Sequence, residues 1–233
     1  MISFRDVSVQ VEVPVAGEPP KVKTLLSGVN LDLAERRVSI IGPNGSGKST
    51  LLRLMNGLVE PASGQVLVEG VDTKKTKKVR KLVGFVFPDS LSQLLLSTPL
   101  DDVQLSLKAV IKDKNERRPK AMELLESRGL GHVAEQSIYD LSGGERQLAA
   151  LTSILALEPK VVVADEPTTA LDLKNRYIVN KVFDELEQQV IYATHDMEWA
   201  ERADYTLVVS GGRIVASGNP ADCVAFYKDL VFR

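Results

Sequence analysis

Val7, Val9, Val11 and Val13 occupy alternate positions against polar neighbours, the period of a strand with one buried face. Residues 14–20 then read as a turn or loop. Val29, Leu31 and Leu33 resume the alternation, which predicts an antiparallel sheet early in the chain. A short apolar run at residues 38–41 leads directly into Gly42, Pro43, Asn44 and Gly45. That pattern predicts a buried strand feeding a glycine-rich loop, with a helix over residues 49–58 behind it. Residues 67–70 and 83–87 read as further strands. Between them, residues 74–81 carry six Lys or Arg. With no aromatic residue interleaved, a solvated surface loop is preferred there to a nucleic-acid patch. Residues from about 100 to 156 carry helical patterning, and apolar strands resume at 161–164, 190–193 and 206–209. Strands alternating with helices imply a mostly parallel sheet covered on both faces.

The 233 residues suffice for one α/β domain with a subdomain inserted into it. A formal charge of −2 creates no global basic field, so nucleic acid is not an expected partner. No run of 18 apolar residues is present, so no membrane-spanning helix is expected. The first six residues lack a basic segment leading into an apolar one, and export is not expected. Cys223, the single cysteine, excludes an internal disulfide and suits a reducing compartment. The cytoplasm, free or docked on a membrane partner, is the expected location.

Gly42, Pro43, Asn44, Gly45, Ser46, Gly47, Lys48 and Ser49 fit the phosphate-loop pattern, between a strand and a helix as that pattern requires. Glycines let the backbone wrap a phosphate without Cβ clashes, and the helix N-terminus directs its N–H groups at the anion. These residues and Thr50 are the candidate nucleotide contacts. Lys48 is the point charge for the β- and γ-phosphates of ATP, and Ser49 supplies a hydroxyl for Mg²⁺. The apolar strand at residues 161–164 ends in Asp165 and Glu166. Asp165 is the second candidate around the Mg²⁺, and Glu166 is placed to polarise an attacking water. Many strands end in an acid that merely caps a helix; the upstream phosphate loop is what favours chemistry here. Leu141, Ser142, Gly143, Gly144, Glu145, Arg146 and Gln147 open a helix, with Ser142 and Glu145 spaced as a capping box. A helix N-terminus carrying a serine and two glycines is also a second anion site.

Taken together, these segments resemble the nucleotide-binding domain of the ATP-binding-cassette family, over nearly the whole chain. The implied fold is a phosphate-loop NTPase core with an N-terminal antiparallel β subdomain and an inserted α-helical subdomain. Residues 1–87 and 157–233 would form the core, and about 88–156 the helical part. The resemblance implies a second nucleotide-binding subunit packed head to tail. Ser142, Gly143 and Gly144 of one subunit would then close on the γ-phosphate held by the other. Thr169, Ala170, Leu171 and Asp172 resemble the family's D-loop, with Asp172 communicating across the dimer. His195, after the strand at 190–193, resembles the switch histidine that contacts the γ-phosphate. His132 has no such context.

Three positions depart from the family. Pro88 stands where relatives carry a glutamine that senses Mg²⁺ and water, with Asp89 or Gln93 as candidate replacements. Val11 stands where an aromatic usually stacks on adenine, and Leu148 where many relatives carry arginine. Ordinary ATP binding with slow or partner-dependent hydrolysis is therefore expected. No cysteine cluster or long heptad run is present, which leaves transport as the leading reading. Residues 56–61, residues 93–103 and the short C-terminal end resemble the energy-coupling-factor group of importers. That resemblance implies a transmembrane coupling subunit docked near residues 93–103 and a separate substrate-binding membrane subunit. The ATPase would lie on the cytoplasmic side of the membrane, with biotin, then cobalt or nickel, as cargo. The alternative is a soluble, non-transport cassette ATPase acting as a regulatory or assembly switch.

Overall fold

The computed structural model describes residues 1–15 and 18–232. The chain opens with a long hairpin, β1 (Ile2–Val15) and β2 (Glu18–Leu33), followed by β3 (Arg37–Ile41) and helix α1 (Lys48–Met55). Next come β4 (Ser63–Val68), the short β5 (Val71–Asp72), one turn of helix α2 (Thr76–Val79) and β6 (Val83–Val86). Three helices follow: α3 (Pro99–Leu107), α4 (Lys114–Ser127) and, after a 3-10 turn at Gly131–Val133, α5 (Gly143–Leu155). The remainder is β7 (Val161–Asp165), α6 (Leu173–Glu185), β8 (Gln189–Ala193), α7 (Met197–Ala200), β9 (Tyr205–Ser210), β10 (Arg213–Gly218) and α8 (Pro220–Phe232).

The strands form two sheets. One is antiparallel, in the order β2-β1-β4-β5; the other runs β10-β9-β3-β8-β7-β6 and is parallel except at the β9–β10 hairpin. Helix α1 is buried between them. Leu51, Leu54 and Met55 join Phe4 and Val66 from the antiparallel sheet and Val161, Val163 and Ile191 from the parallel one. Val162, Ala164, Val190 and Tyr192 point the opposite way, into a second core with Leu125, Leu148 and Leu151 from the helical block. Alternate residues of one strand thus enter different cores, which is why β7 and β8 read as unbroken apolar runs. Trp199, 1 % exposed, closes this core by stacking on Tyr192 with ring centroids 3.9 Å apart. Its Nε1 donates to Asp184 Oδ1 at 3.1 Å.

The sequence expectations need correcting at two turns. Residues 14–20 are not an open loop: β1 continues to Val15 and β2 begins at Glu18, with Val15 paired to Glu18. Proline is tolerated there because β2 is an edge strand, β1 pairs with β4 only as far as Ser8, and the β1–β2 register shifts between Val13 and Val15. Residues 16 and 17, part of that expectation, lie outside the described residues. The strand expected at 67–70 ends at Val68 because Glu69 and Gly70 both take positive φ, 49° and 73°, and make the tight turn into β5. The basic run expected as a loop contains the single turn α2.

Candidate nucleotide site

β3 delivers the chain to the carboxyl edge of the parallel sheet, where residues 42–47 wrap before α1 begins at Lys48. The wrap depends on glycine. Gly42 has φ 148°, and a Cβ there would lie 2.0 Å from the Val209 carbonyl oxygen. Gly47, at φ 113°, would meet Leu26 Cδ2 at 2.8 Å. Gly45, by contrast, faces open space at φ 74°. Ser46 O accepts from Gly212 N at 2.9 Å, which ties the loop to the β9–β10 turn. Ser46 Oγ is buried without a hydrogen-bond partner, a hydroxyl suited to an additional polar ligand.

Lys48 is 4 % exposed, and its Nζ donates to the carbonyls of Gly42 at 2.8 Å and Pro43 at 3.2 Å. Burial pulls its pKa down, against the opposing pull of Glu166 and Asp165. β7 ends beside it. Asp165 is 1 % exposed and accepts from Ser49 Oγ at 3.0 Å. Desolvation lifts the Asp165 carboxyl above its ordinary value, more than the Ser49 hydrogen bond and the Arg53 charge hold it down. Glu166 takes the strained left-handed conformation, φ 49°, with its N–H bonded to Ala193 O on β8. Its Oε1 lies 3.8 Å from Lys48 Nζ and 2.8 Å from His195 Nε2, while Oε2 accepts from Thr169 Oγ1 at 3.0 Å. Candidates read separately from the sequence, Lys48, Ser49, Asp165, Glu166 and His195, therefore form one cluster at the ends of β3, β7 and β8. Thr169, which holds the second oxygen of Glu166, was read only as part of the D-loop.

Ser142, Gly143 and Gly144 contact other residues. Ser142 caps α5 in a full capping box: its Oγ accepts from Glu145 N, and its own N–H donates to Glu145 Oε2 at 2.8 Å. The Ser142 hydroxyl, which also donates to Glu145 Oε2 at 2.6 Å, and then the Ser142 N–H hold the Glu145 carboxyl below its ordinary range, with His132 adding to the effect. His132 Nε2 lies 3.3 Å from Glu145 Oε1, a contact that sequence reading gave no reason to expect. A Cβ on Gly144 would fall 2.3 Å from Asn175 Oδ1, and Asn175 in turn donates to Asp172, the cap of α6. Gly144 and Asp172 thus lie against the same asparagine.

At the departures, the side chains are committed locally. Gln93 takes the Phe87 N–H on Oε1 at 3.0 Å and donates to Phe85 O at 3.2 Å, clasping the end of β6. Asp89 binds Leu91 N and Ser92 Oγ within its own loop. Val11, 38 % exposed, sits on the free part of the β1–β2 hairpin. Leu148 is buried in the core beneath the helical block.

Between β6 and the helical block runs a groove of about 500 Å³ whose lining includes Leu58, Phe87, Leu95, Leu105 and Leu157. Asp102 fastens one wall. Its carboxylate accepts from Leu95 N at 2.8 Å, Leu96 N at 3.2 Å and Ser153 Oγ at 2.7 Å, joining residues 93–103 to α5. No helix among the described residues is long and apolar enough to cross a membrane.

Residues 26–169 match the ABC transporter family. The biotin transport ATP-binding protein BioM of Rhizobium etli is 37 % identical, over 92 % of this chain and 96 % of that protein. The energy-coupling factor transporter ATP-binding protein EcfA of Carboxydothermus hydrogenoformans is 37 % identical, over 86 % and 77 %. Among solved structures, the dimeric post-hydrolysis state of the ATP-binding cassette MJ0796, bound to ADP and Pi, superposes with a TM-score of 0.82. It is 30 % identical and covers 94 % of this chain and 99 % of that one. The chain belongs to the ABC transporter family. It is an ATPase subunit of that family, an α/β cassette that binds nucleotide and hydrolyses ATP to power transport.

Proposed function

We propose that this chain drives an importer of the energy-coupling-factor type. It would be one of two head-to-tail nucleotide-binding subunits on the cytoplasmic face of the membrane. The observation that carries the reading is the Lys48–Glu166–His195 cluster with the Ser49–Asp165 pair beside it. Residues 42–50 would hold the triphosphate of ATP, with Lys48 exchanging loop carbonyls for β- and γ-phosphate oxygens. Glu166 orients and polarises the attacking water, and His195 and Thr169 keep its carboxylate in place. Ser142, Gly143 and Gly144 complete the partner's site, and Asp172 positions that edge through Asn175.

The residues present fit a magnesium ion. Half-buried Ser49 and buried Asp165 are adjacent oxygen donors, and no three His, Cys, Asp or Glu among the described residues form a cage, so phosphate oxygens would complete its shell. Bound there, the ion would neutralise phosphate charge.

Residues 1–87 and 157–233 serve as the core and 88–156 as the helical subdomain. The leucine-lined groove between them receives the transmembrane coupling subunit; a separate membrane subunit binds the cargo. Likeness to BioM supports a vitamin, biotin first, ahead of cobalt or nickel ions. Because Pro88, Asp89 and Gln93 leave the usual glutamine role unfilled, hydrolysis is slow until the coupling subunit seats. Phosphate release measured with and without that subunit in liposomes tests this. Stimulation of about tenfold or more is expected; rapid hydrolysis by the lone chain would sink the proposal.

A further inference from the structure

The groove has a charge pattern that the nucleotide chemistry does not use. On its core side, Arg80 and Lys81 line it, and Lys74, Lys75, Lys77 and Lys78 continue the run outward. All six are exposed, and none forms an ion pair among the described residues. Asp72 accepts from Gln65 and from the Lys74 N–H, and its charge offsets part of that of Lys74 and Lys75. On the helical side, Leu105 is shared with a shallow depression lined by Lys108, Lys114 and Arg117, again without ion pairs. Asp101, bonded to Thr98 and Gln104, and Asp113, which caps α4, keep their charge and make this the weaker of the two basic patches. The chain as a whole carries −2, so this cationic charge is concentrated around one apolar groove.

We infer that these two cationic banks seat the subunit on anionic phospholipid headgroups at the membrane surface, on either side of the groove. The inference rests on the reading above that a membrane subunit occupies that groove, since this turns the banks toward the bilayer. The residue types match a diffuse anionic surface. Seven of the nine cations are lysines, hydrated point charges on flexible stems, rather than the planar forks that clamp a fixed carboxylate or phosphate. Base-stacking aromatics are missing from the run, which disfavours a nucleic-acid partner.

Flotation of the full chain with vesicles tests this without any protein partner. Equimolar phosphatidylcholine and phosphatidylglycerol vesicles should carry the chain upward in low salt, and phosphatidylcholine alone should not. Replacing Lys74, Lys75, Lys77 and Lys78 together by glutamine should lower the bound fraction by about tenfold or more, with nucleotide binding unchanged. A control with Lys23, Lys160, Lys181 and Lys228 replaced by glutamine should float nearly as the parent does. Equal losses in the two variants, flotation independent of lipid charge, no flotation of the parent, or preference for a competing DNA duplex would each overturn the inference. A chain that fails with vesicles yet is stimulated by the coupling subunit sinks only the lipid contact. The opposite pair of results sinks the importer reading.

Discussion

Lys48 and Asp165 are held in the fold against the preference of their charges: burial lowers the one pKa and raises the other. An acid whose native pKa lies above its unfolded value penalises the folded state as pH rises through the carboxylate range, because the native form holds its proton longer. Asp165→Asn keeps the acceptor for Ser49 and removes that penalty. It should raise folding stability while abolishing turnover, as denaturant titration beside phosphate release would show. Glu166→Gln should cut turnover by a factor of about 10²–10⁴ with ATP affinity retained. Gly42→Ala should destabilise the chain by about 2–4 kcal/mol, since its Cβ would strike the rigid Val209 carbonyl rather than a movable side chain. The identities of Lys48, Asp165 and Glu166 were legible because loop spacing and strand ends are local signals. The Thr169 bond to Glu166 was not, because it depends on the left-handed turn at Glu166, and the His132 contact with Glu145 was not, because the fold brings those two side chains together.

At the scale of elements, one buried carboxylate and one cap carry much of the helical block. Asp102→Ala would leave Leu95 N, Leu96 N and Ser153 Oγ without their acceptor, a loss of about 2–4 kcal/mol by denaturant titration, with Ser153→Ala costing less. The capping box on α5 has the opposite pH sense to Asp165. Glu145 titrates lower when folded than unfolded, so its contribution is complete above the unfolded value and lost as pH falls through the folded one. Acidification should therefore loosen the start of α5 first, visible as faster amide exchange at residues 143–147. Most elements were readable from period alone, yet β10 and α8 were not. Arg213, Val215 and Ser217 alternate with only half-buried Ile214 and Ala216, too weak a contrast for a strand. β1 and β2 were cut short because proline signals a turn unless the strand is known to lie at an edge.

For the whole molecule, the proposed head-to-tail pairing of the phosphate loop with the partner's capped serine–glycine turn would make catalysis depend on concentration. Specific activity of the lone subunit should rise with protein concentration, and the Glu166→Gln variant with ATP should elute as a dimer. The placement of Trp199 has a further, optical consequence. The single indole of the chain is buried against Tyr192, and its backbone N–H is held by Asp196 Oδ1 at 3.1 Å, one residue beyond His195. On the proposed role of His195, its displacement by phosphate would pass through that cap to the fluorophore. Emission at the red edge of excitation then reports nucleotide engagement on an unlabelled chain, and a His195→Ala variant should lose the response while still binding ATP.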